Sequence, residues 1–125
     1  FNKFHNNIIT IKSKELANTL KELELYVGDI STTKHSYNIV STVATSFIND
    51  VADYIINKTG ADVGIVVNTK SNKVSFRRKV GNDMPSMVKL AAMLTDDSGG
   101  HDAASGGMLC DKFLSFTKTL NPFIL

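Results

Sequence analysis

Cysteine is almost absent from this 125-residue chain, and long apolar runs are absent altogether. The single cysteine, Cys110, excludes an internal disulfide and favours a reducing compartment. No apolar segment approaches the roughly 20 residues that a membrane-spanning helix needs, and the first residues lack the basic start and apolar centre of a secretory signal. The sequence therefore predicts a cytoplasmic protein without a membrane partner.

Arginine and net charge are also scarce. The formal net charge is +2, and arginine occurs only as Arg77 and Arg78. Such a weak charge excludes the broad basic surface that binds long duplex DNA without specificity. It still allows a local basic site.

The composition is nevertheless sufficient for one folded domain. Hydrophobic residues make up 42% of the chain and charged residues 21%. A chain of this size can bury about two-thirds of its unfolded surface. Because the chain starts at Phe1 and not at a methionine, we expect it to be part of a longer protein. Residues 1–36 are predicted to form an arm and a helix that lead from an upstream domain, and residues 37–125 the domain itself.

Apolar periodicity predicts the secondary structure. Leucines at helical spacing predict a helix over residues 14–25, which follows an arm or short edge strand over residues 1–10 and precedes a polar loop over residues 30–36. The other predicted strands are residues 37–43, 62–68 and 73–79, and the other predicted helices are residues 45–58, 85–94 and 111–120. This order predicts an α/β fold, a single domain with a mixed β-sheet flanked by helices.

Paired glycines enclose a histidine in residues 98–107, which read SGGHDAASGG. Gly99 and Gly100 can adopt positive φ and expose their amides, so an anion can approach the backbone closely. His101 can add a polar side chain, and the small residues after it predict a short helix whose N-terminus faces the same anion. The pattern is typical of a phosphate-binding loop. The alternative is a flexible turn with a solvated histidine.

The two arginines lie in a predicted strand shortly before this loop. Because side chains alternate along a strand, Arg77 and Arg78 should point to opposite faces, and only one can meet the loop. A guanidinium binds phosphate through a planar fork of donors. We expect Arg77 to face the loop and Arg78 to be a solvated surface charge.

The sequence VSFR at residues 74–77, followed by a helix and then GGHDAASG at residues 99–106, resembles the DHH-associated domain. That domain binds substrate in DHH-family phosphoesterases, which include RecJ-like exonucleases, oligoribonucleases, nucleotide phosphatases and cyclic-dinucleotide phosphodiesterases. The resemblance covers roughly residues 37–109. It implies that manganese, or another divalent metal, and the attacking water belong to a separate upstream domain. This chain would then hold no catalytic residue and no metal.

The resemblance also implies roles for individual residues. Arg77 would hold a phosphate or terminal phosphoryl group, Gly99 and Gly100 would supply backbone amides, and His101 would hydrogen-bond a phosphate near the scissile bond. Ser75 matches the family's serine in the strand motif, with strand packing or a simple hydrogen bond as the alternative role.

The chain departs from the family pattern just before the histidine. Many members have four glycines there, whereas this chain has Asp97 and Ser98 in the first two positions. Ser98 could keep a tight turn and add a hydroxyl donor, but Asp96 and Asp97 would repel a phosphate unless they face away or bind a cation. Together with His101 and Asp102 they could form a small metal site. Carboxylates beside a glycine loop are more often solvated turn residues, so no metal site is predicted.

Three functions remain open at the level of the sequence. The first is the substrate-binding domain of a DHH-type phosphodiesterase or exonuclease that acts on single-stranded nucleic acid, short oligonucleotides or nucleotides. Its partner would be a catalytic DHH domain of the same polypeptide, and a homodimer is one conceivable assembly. The second is a standalone nucleotide- or nucleic-acid-binding module without catalytic activity. The third is a protein-interaction domain in which the loop is an ordinary turn.

Overall fold

The computed structural model describes residues 3–31, 35–81 and 83–124. Within these residues it contains four helices and one mixed seven-stranded sheet, so the predicted α/β class is confirmed. The helices are α1 (Lys3–Lys21), α2 (Ile48–Thr59), α3 (Met87–Leu94) and α4 (Asp111–Thr117). The strands are β1 (Tyr26–Ser31), β2 (Ser36–Val43), β3 (Val63–Asn68), β4 (Lys73–Arg78), β5 (Asp96–Gly100), β6 (Ala104–Met108) and β7 (Asn121–Pro122).

The sheet has the strand order β5-β6-β4-β3-β2-β1-β7. Strands β2 and β3 are parallel and are joined through α2, whereas the other neighbouring strands pair antiparallel. Helix α2 packs on β2, β3 and β4, and helix α3 packs on β4, β5 and β6. In the described part of the chain, the β5-β6 edge is therefore covered by α3 on one face and extends beyond α2 on the other.

Two apolar cores lie on the two faces of the sheet. Ile65 belongs to the core beneath α3, and the adjacent Val66 to the core beneath α2. Strand β3 is therefore buried on both faces, as its continuous apolar run predicts. In the α3-side core, the rings of Phe76 and Phe113 pack edge to face with centroids 6.3 Å apart. We refer to the two sides of the sheet as the α2 face and the α3 face.

The central elements agree with the sequence predictions. Strands β2, β3 and β4 lie within one residue of their predicted bounds, and α3 begins two residues later than expected. Helix α2 begins at Ile48, so the predicted start at residue 45 is wrong by three residues. The residue before the helix is instead Phe47, which has a φ of 55° and no side-chain capping bond.

The N-terminal region differs from the prediction. The expected arm over residues 1–10 is helical from Lys3, and α1 ends at Lys21 instead of residue 25. The polar loop expected over residues 30–36 contains the end of β1, while residues 32–34 lie outside the described residues. Strand β1 forms because it pairs with both β2 and β7. The local sequence of β1 does not indicate this pairing. The division at residue 37 stays a prediction.

The C-terminal helix is shorter than predicted. It ends at Thr117, and Asn121 and Pro122 form the short edge strand β7. Across the described ranges, no helix combines the length and the apolar character needed to cross a membrane.

Candidate functional site

The glycine-histidine stretch forms a tight β-hairpin at the edge of the sheet. His101 N–H donates to the Ala104 carbonyl at 2.7 Å, and Ala104 N–H donates back to the His101 carbonyl at 3.2 Å. Asp102 and Ala103 are therefore the two turn residues. The short helix predicted after the histidine is wrong, because the small residues of β6 pair with β4 on one side and β5 on the other.

Hydrogen bonds fix the tip of this hairpin to the rest of the domain. Met87 N–H, at the start of α3, donates to the Asp102 carbonyl at 2.8 Å, and Ser86 Oγ donates to Asp102 Oδ1 at 2.6 Å. Arg78 N–H donates to the Ala103 carbonyl at 3.1 Å. The turn that carries the histidine is thus held in a defined position between β4 and α3.

A groove runs along the hairpin on the α2 face. One part of it, the Arg77 lobe, has a volume of about 320 Å³ and lies between α2 and the β4-β6-β5 edge. A second part, the Lys73 lobe, has a volume of about 340 Å³ and is lined at its far end by Asp97 and Met108. Both lobes are lined by Ser75, Gly99 and Gly106, so they form one continuous surface that we call the hairpin groove.

The hairpin groove brings most of the predicted site residues together. Four of the six line the Arg77 lobe: Ser75, Arg77, Gly99 and Gly100. The other two, Ser98 and His101, are exposed on the same hairpin, and neither is among the described residues that line the groove.

The two glycines before the histidine have different roles in the backbone. Gly100 has a φ of 144°, and a Cβ there would lie 2.6 Å from Ser105 Cα, so only glycine fits. His101 and Ala104 exchange two hydrogen bonds, so alternation along the antiparallel ladder makes Gly99 and Gly106 the next hydrogen-bonded pair. A Cβ added at Gly99 would meet nothing within 4 Å, so the backbone there is open to a ligand, whereas Gly100 is packed against Ser105.

The two arginines lie on opposite faces and make different contacts. Arg77 lies on the α2 face, where its Nη1 is 3.4 Å from the Asn49 carbonyl and 3.4 Å from Asp53 Oδ2. Both contacts are long, and the Arg77 side chain is 33% exposed. A ligand can therefore replace them at little cost. Arg78 Nη1 donates to the Pro85 carbonyl at 3.0 Å, so its interpretation as a solvated charge is wrong.

The acidic residues around the loop do not converge. Asp96 pairs with Met108 at the far end of β5, whereas Asp102 contacts Ser86 at the hairpin tip. Among residues 3–31, 35–81 and 83–124, no group of three histidine, cysteine, aspartate or glutamate side chains is placed to hold a metal ion. Asp97 has a φ of 48°, a left-handed conformation that glycine adopts more readily than aspartate.

Sequence reasoning did not identify three residues near the site. Asn49 and Asp53 contact Arg77 from α2, and Ser105 Oγ donates to the Gly99 carbonyl at 2.7 Å. The spacing of Asn49 and Asp53 places them on one side of a helix. Nothing local indicates that this side faces β4.

Comparison with known proteins identifies the family of this chain. The model of the DHHA1 domain family matches residues 33–124. No match was found among curated proteins. The crystal structure of an uncharacterized protein from Helicobacter pylori G27 is similar to this chain, with a TM-score of 0.52 and 19% identity, which concerns the fold alone. The match covers 72% of this chain and 27% of that one. Since the family model spans most of its length, this chain belongs to the DHHA1 domain family, the DHH-associated domain of the DHH phosphoesterases.

Proposed function

We propose that the hairpin groove binds a phosphate group of a nucleotide or of single-stranded nucleic acid, and that the domain presents this substrate to a separate DHH domain. One observation carries the proposal. The Arg77 guanidinium, whose contacts a ligand can replace, lines one groove on the α2 face together with the Ser75 hydroxyl and the glycine backbone of the hairpin.

The residues of the Arg77 lobe suit a phosphate for separate reasons. Arg77 supplies the only positive side chain among the described residues that line this lobe, and its guanidinium can meet two phosphate oxygens at once. Gly99 leaves its backbone open to a ligand, and Ser75 offers a hydroxyl donor. His101 follows Gly100 directly, so its exposed imidazole can approach a second oxygen from the hairpin tip.

In this proposal, the present domain binds the substrate and the DHH domain hydrolyses it. The part of the present domain would be to hold the phosphate and orient the scissile bond, which lowers the barrier through proximity and charge stabilisation. Manganese or another divalent metal, together with the attacking water, would come from the DHH domain. Hydrolysis would then take place in a cleft between the two domains.

The first test is a titration of the 125-residue chain with 5′-phosphorylated oligonucleotides and mononucleotides, followed by backbone amide NMR. We expect localised shifts at Arg77, Gly99, Gly100 and His101. Loss of the charge-assisted bonds in Arg77→Ala should weaken binding by about tenfold or more. Arg78→Ala is the matched control, since it removes the neighbouring arginine from the other face and should leave the affinity nearly unchanged.

Two results would contradict the proposal. One is a folded protein whose groove amides do not shift with any phosphorylated ligand. The other is an equal loss of affinity in the two arginine variants. Tight binding by the chain together with no phosphoester hydrolysis by the longer protein would favour a standalone binding module instead.

A further inference from the structure

Asp102, at the tip of the β5-β6 hairpin, joins the candidate site to the start of α3. Resting on the proposed function, we propose that Asp102 is a positioning residue for phosphate binding. Its carbonyl and its carboxylate attach the hairpin turn to the first residues of α3. This attachment holds Gly99, Gly100 and His101 in place without any contact between Asp102 and the phosphate.

The hairpin has little in its own sequence that fixes its position. All five residues of β5 are exposed, and among the described strands β5 pairs with β6 alone. Register is weakly specified in glycine-rich strands, and the ladder between β5 and β6 is irregular between Asp96 and Gly99. Contacts from outside the hairpin must therefore set the position of its tip.

The turn at the tip also needs support from its neighbours. Two-residue hairpin loops favour turns with positive φ, because the twist of those turns matches the twist of the strands. Neither Asp102 nor Ala103 has a positive φ. The turn is therefore not one of the two favoured types, and its hydrogen bonds to neighbouring elements stabilise it.

Asp102 accepts hydrogen bonds that a helix usually satisfies within its own first turn. Ser86 stands at the N-cap position of α3, where a serine hydroxyl usually accepts a hydrogen bond from a backbone amide of the helix. Ser86 makes no such bond. Its Oγ donates instead to Asp102 Oδ1 at 2.6 Å, and the Met87 N–H donates to the Asp102 carbonyl at 2.8 Å. One residue of the hairpin thus accepts two hydrogen bonds from the start of the helix.

The charge of Asp102 suits this role better than direct binding. The first turn of α3 contains no acidic residue, and a carboxylate near a helix N-terminus is stabilised by the helix dipole. A carboxylate repels a phosphate, because both are anions. Since α3 and the hairpin groove lie on opposite faces of the sheet, the bond from Ser86 holds the Asp102 carboxylate on the side away from the phosphate.

A fixed hairpin favours binding because less order has to be created when the ligand arrives. Gly99, Gly100 and His101 directly precede Asp102 in the chain. A segment that is already ordered in the free protein loses less conformational entropy on binding. Release of the tip should therefore weaken phosphate binding in a protein that is still folded.

The test measures the affinity of the 125-residue chain for a 5′-phosphorylated diadenylate. Asp102→Ala removes both the charge and the acceptor oxygen, whereas Asp102→Asn removes the charge and keeps an oxygen for Ser86. We expect Asp102→Ala to bind about three- to tenfold more weakly than Asp102→Asn, as the loss of one hydrogen bond would give. If the carboxylate acted only through its charge, the two variants would bind equally.

The same bond can be removed from the helix side. Ser86→Ala deletes the donor and should weaken binding by a similar factor, whereas Ser86→Thr keeps a hydroxyl and should retain the affinity of the wild type. Because the two residues act through one bond, Ser86→Ala should have little further effect in an Asp102→Ala background.

Thr42→Val is the control for a purely structural effect. It removes the 2.7 Å hydrogen bond from the buried Thr42 hydroxyl to the Glu24 carbonyl. Thr42 lies on β2, which β3 and β4 separate from the hairpin. This variant should unfold at a lower urea concentration than the wild type and bind the dinucleotide with unchanged affinity.

The outcomes separate this inference from the proposed function. Equal affinities of Asp102→Ala and Asp102→Asn overturn the positioning role, and so do equal affinities of Ser86→Ala and Ser86→Thr. A loss of affinity in Thr42→Val as large as that in Asp102→Ala also overturns it. If Arg77→Ala still weakens binding in those cases, phosphate binding stands without the positioning role. If the wild type does not bind the dinucleotide, the proposed function and this inference both fail.

Discussion

The two faces of the sheet near the hairpin are built from the same strands but differ in how they are closed. On the α3 face, Phe76 packs against Phe113, and Gly107 lies directly beneath Thr95. On the α2 face, the same strands carry Arg77 into the groove between α2 and the β4-β6-β5 edge. The neighbouring residues Phe76 and Arg77 therefore belong to the core on the α3 face and to the candidate site on the α2 face, respectively.

The comparison shows why neither the glycines nor the arginines form one functional group. Gly107 is small because a side chain of the α3 face occupies the space above it, whereas Gly99 has open space above it. Arg78 fixes the segment before α3, whereas Arg77 makes only long contacts with α2. Substitutions on the α3 face should change stability, and those on the α2 face should change binding.

The largest effect that would sharpen this contrast is expected from Gly107→Ala. The new Cβ would collide with the Thr95 side chain, with Thr95 Cβ only 2.6 Å away. Overpacking of this kind should lower the free energy of unfolding by about 1–3 kcal/mol, measured by urea denaturation.

Gly99→Ala is the matched control for that substitution. Its Cβ would meet nothing within 4 Å, so stability should stay within about 0.5 kcal/mol of the wild type while the methyl group obstructs phosphate binding. A loss of stability as large as that of Gly107→Ala would show that the two faces are not distinct.

The arginine pair provides the second contrast. Arg78→Ala removes a charged donor from the Pro85 carbonyl, a partly buried hydrogen bond of 3.0 Å. We expect the free energy of unfolding to fall by about 1–2 kcal/mol. Arg77→Ala should change it by no more than about 0.5 kcal/mol, because its partners lie at 3.4 Å and are solvent-accessible. Thermal unfolding of both variants decides the matter, and the reverse order of stabilities would refute the assignment.

Substitutions at the hairpin tip should have a smaller effect on stability. Ser86→Ala deletes the 2.6 Å hydrogen bond to Asp102 Oδ1, while the Met87 amide still donates to the Asp102 carbonyl. We expect a loss of about 0.5–1 kcal/mol in stability and a shift of the His101 amide resonance. A loss of stability without any change at His101 would mean that this bond does not position the tip.

The sequence predicted the part of the fold that apolar patterns encode. Strands β2, β3 and β4 carry such patterns, and each was predicted within one residue of its bounds. Strands β5 and β6 read DDSGG and ASGGM, without the β-branched residues that mark a strand. Their conformation comes from pairing along the edge of β4 and from close approaches such as that of Gly107 to Thr95, neither of which a local pattern contains.

The candidate site was predictable to a similar extent. Alternation along β4 and the motif resemblance together placed Arg77 beside the glycines, and the structure has it there. The contacts of Arg77 with α2 were not predictable, because they depend on how α2 packs on β2, β3 and β4. The role of Arg78 was missed for the same reason, since Pro85 is brought to it only by the packing of α3.

The smallest effect tests whether Arg77 is available to a ligand. Asp53 Oδ2 lies 3.4 Å from the Arg77 guanidinium, and the Asp53 side chain is 61% exposed. A bound phosphate would compete with this carboxylate and be repelled by it. Asp53→Asn should therefore tighten nucleotide binding by about two- to fivefold, in keeping with the 0.2–1 kcal/mol of an exposed ion pair, and the gain should shrink as salt is added. Asp50→Asn removes an exposed carboxylate from the first turn of the same helix and serves as the control. Equal gains in the two variants would mean that only the general charge of α2 acts on the ligand, whereas a gain confined to Asp53→Asn would show that phosphate and Asp53 compete for the same arginine.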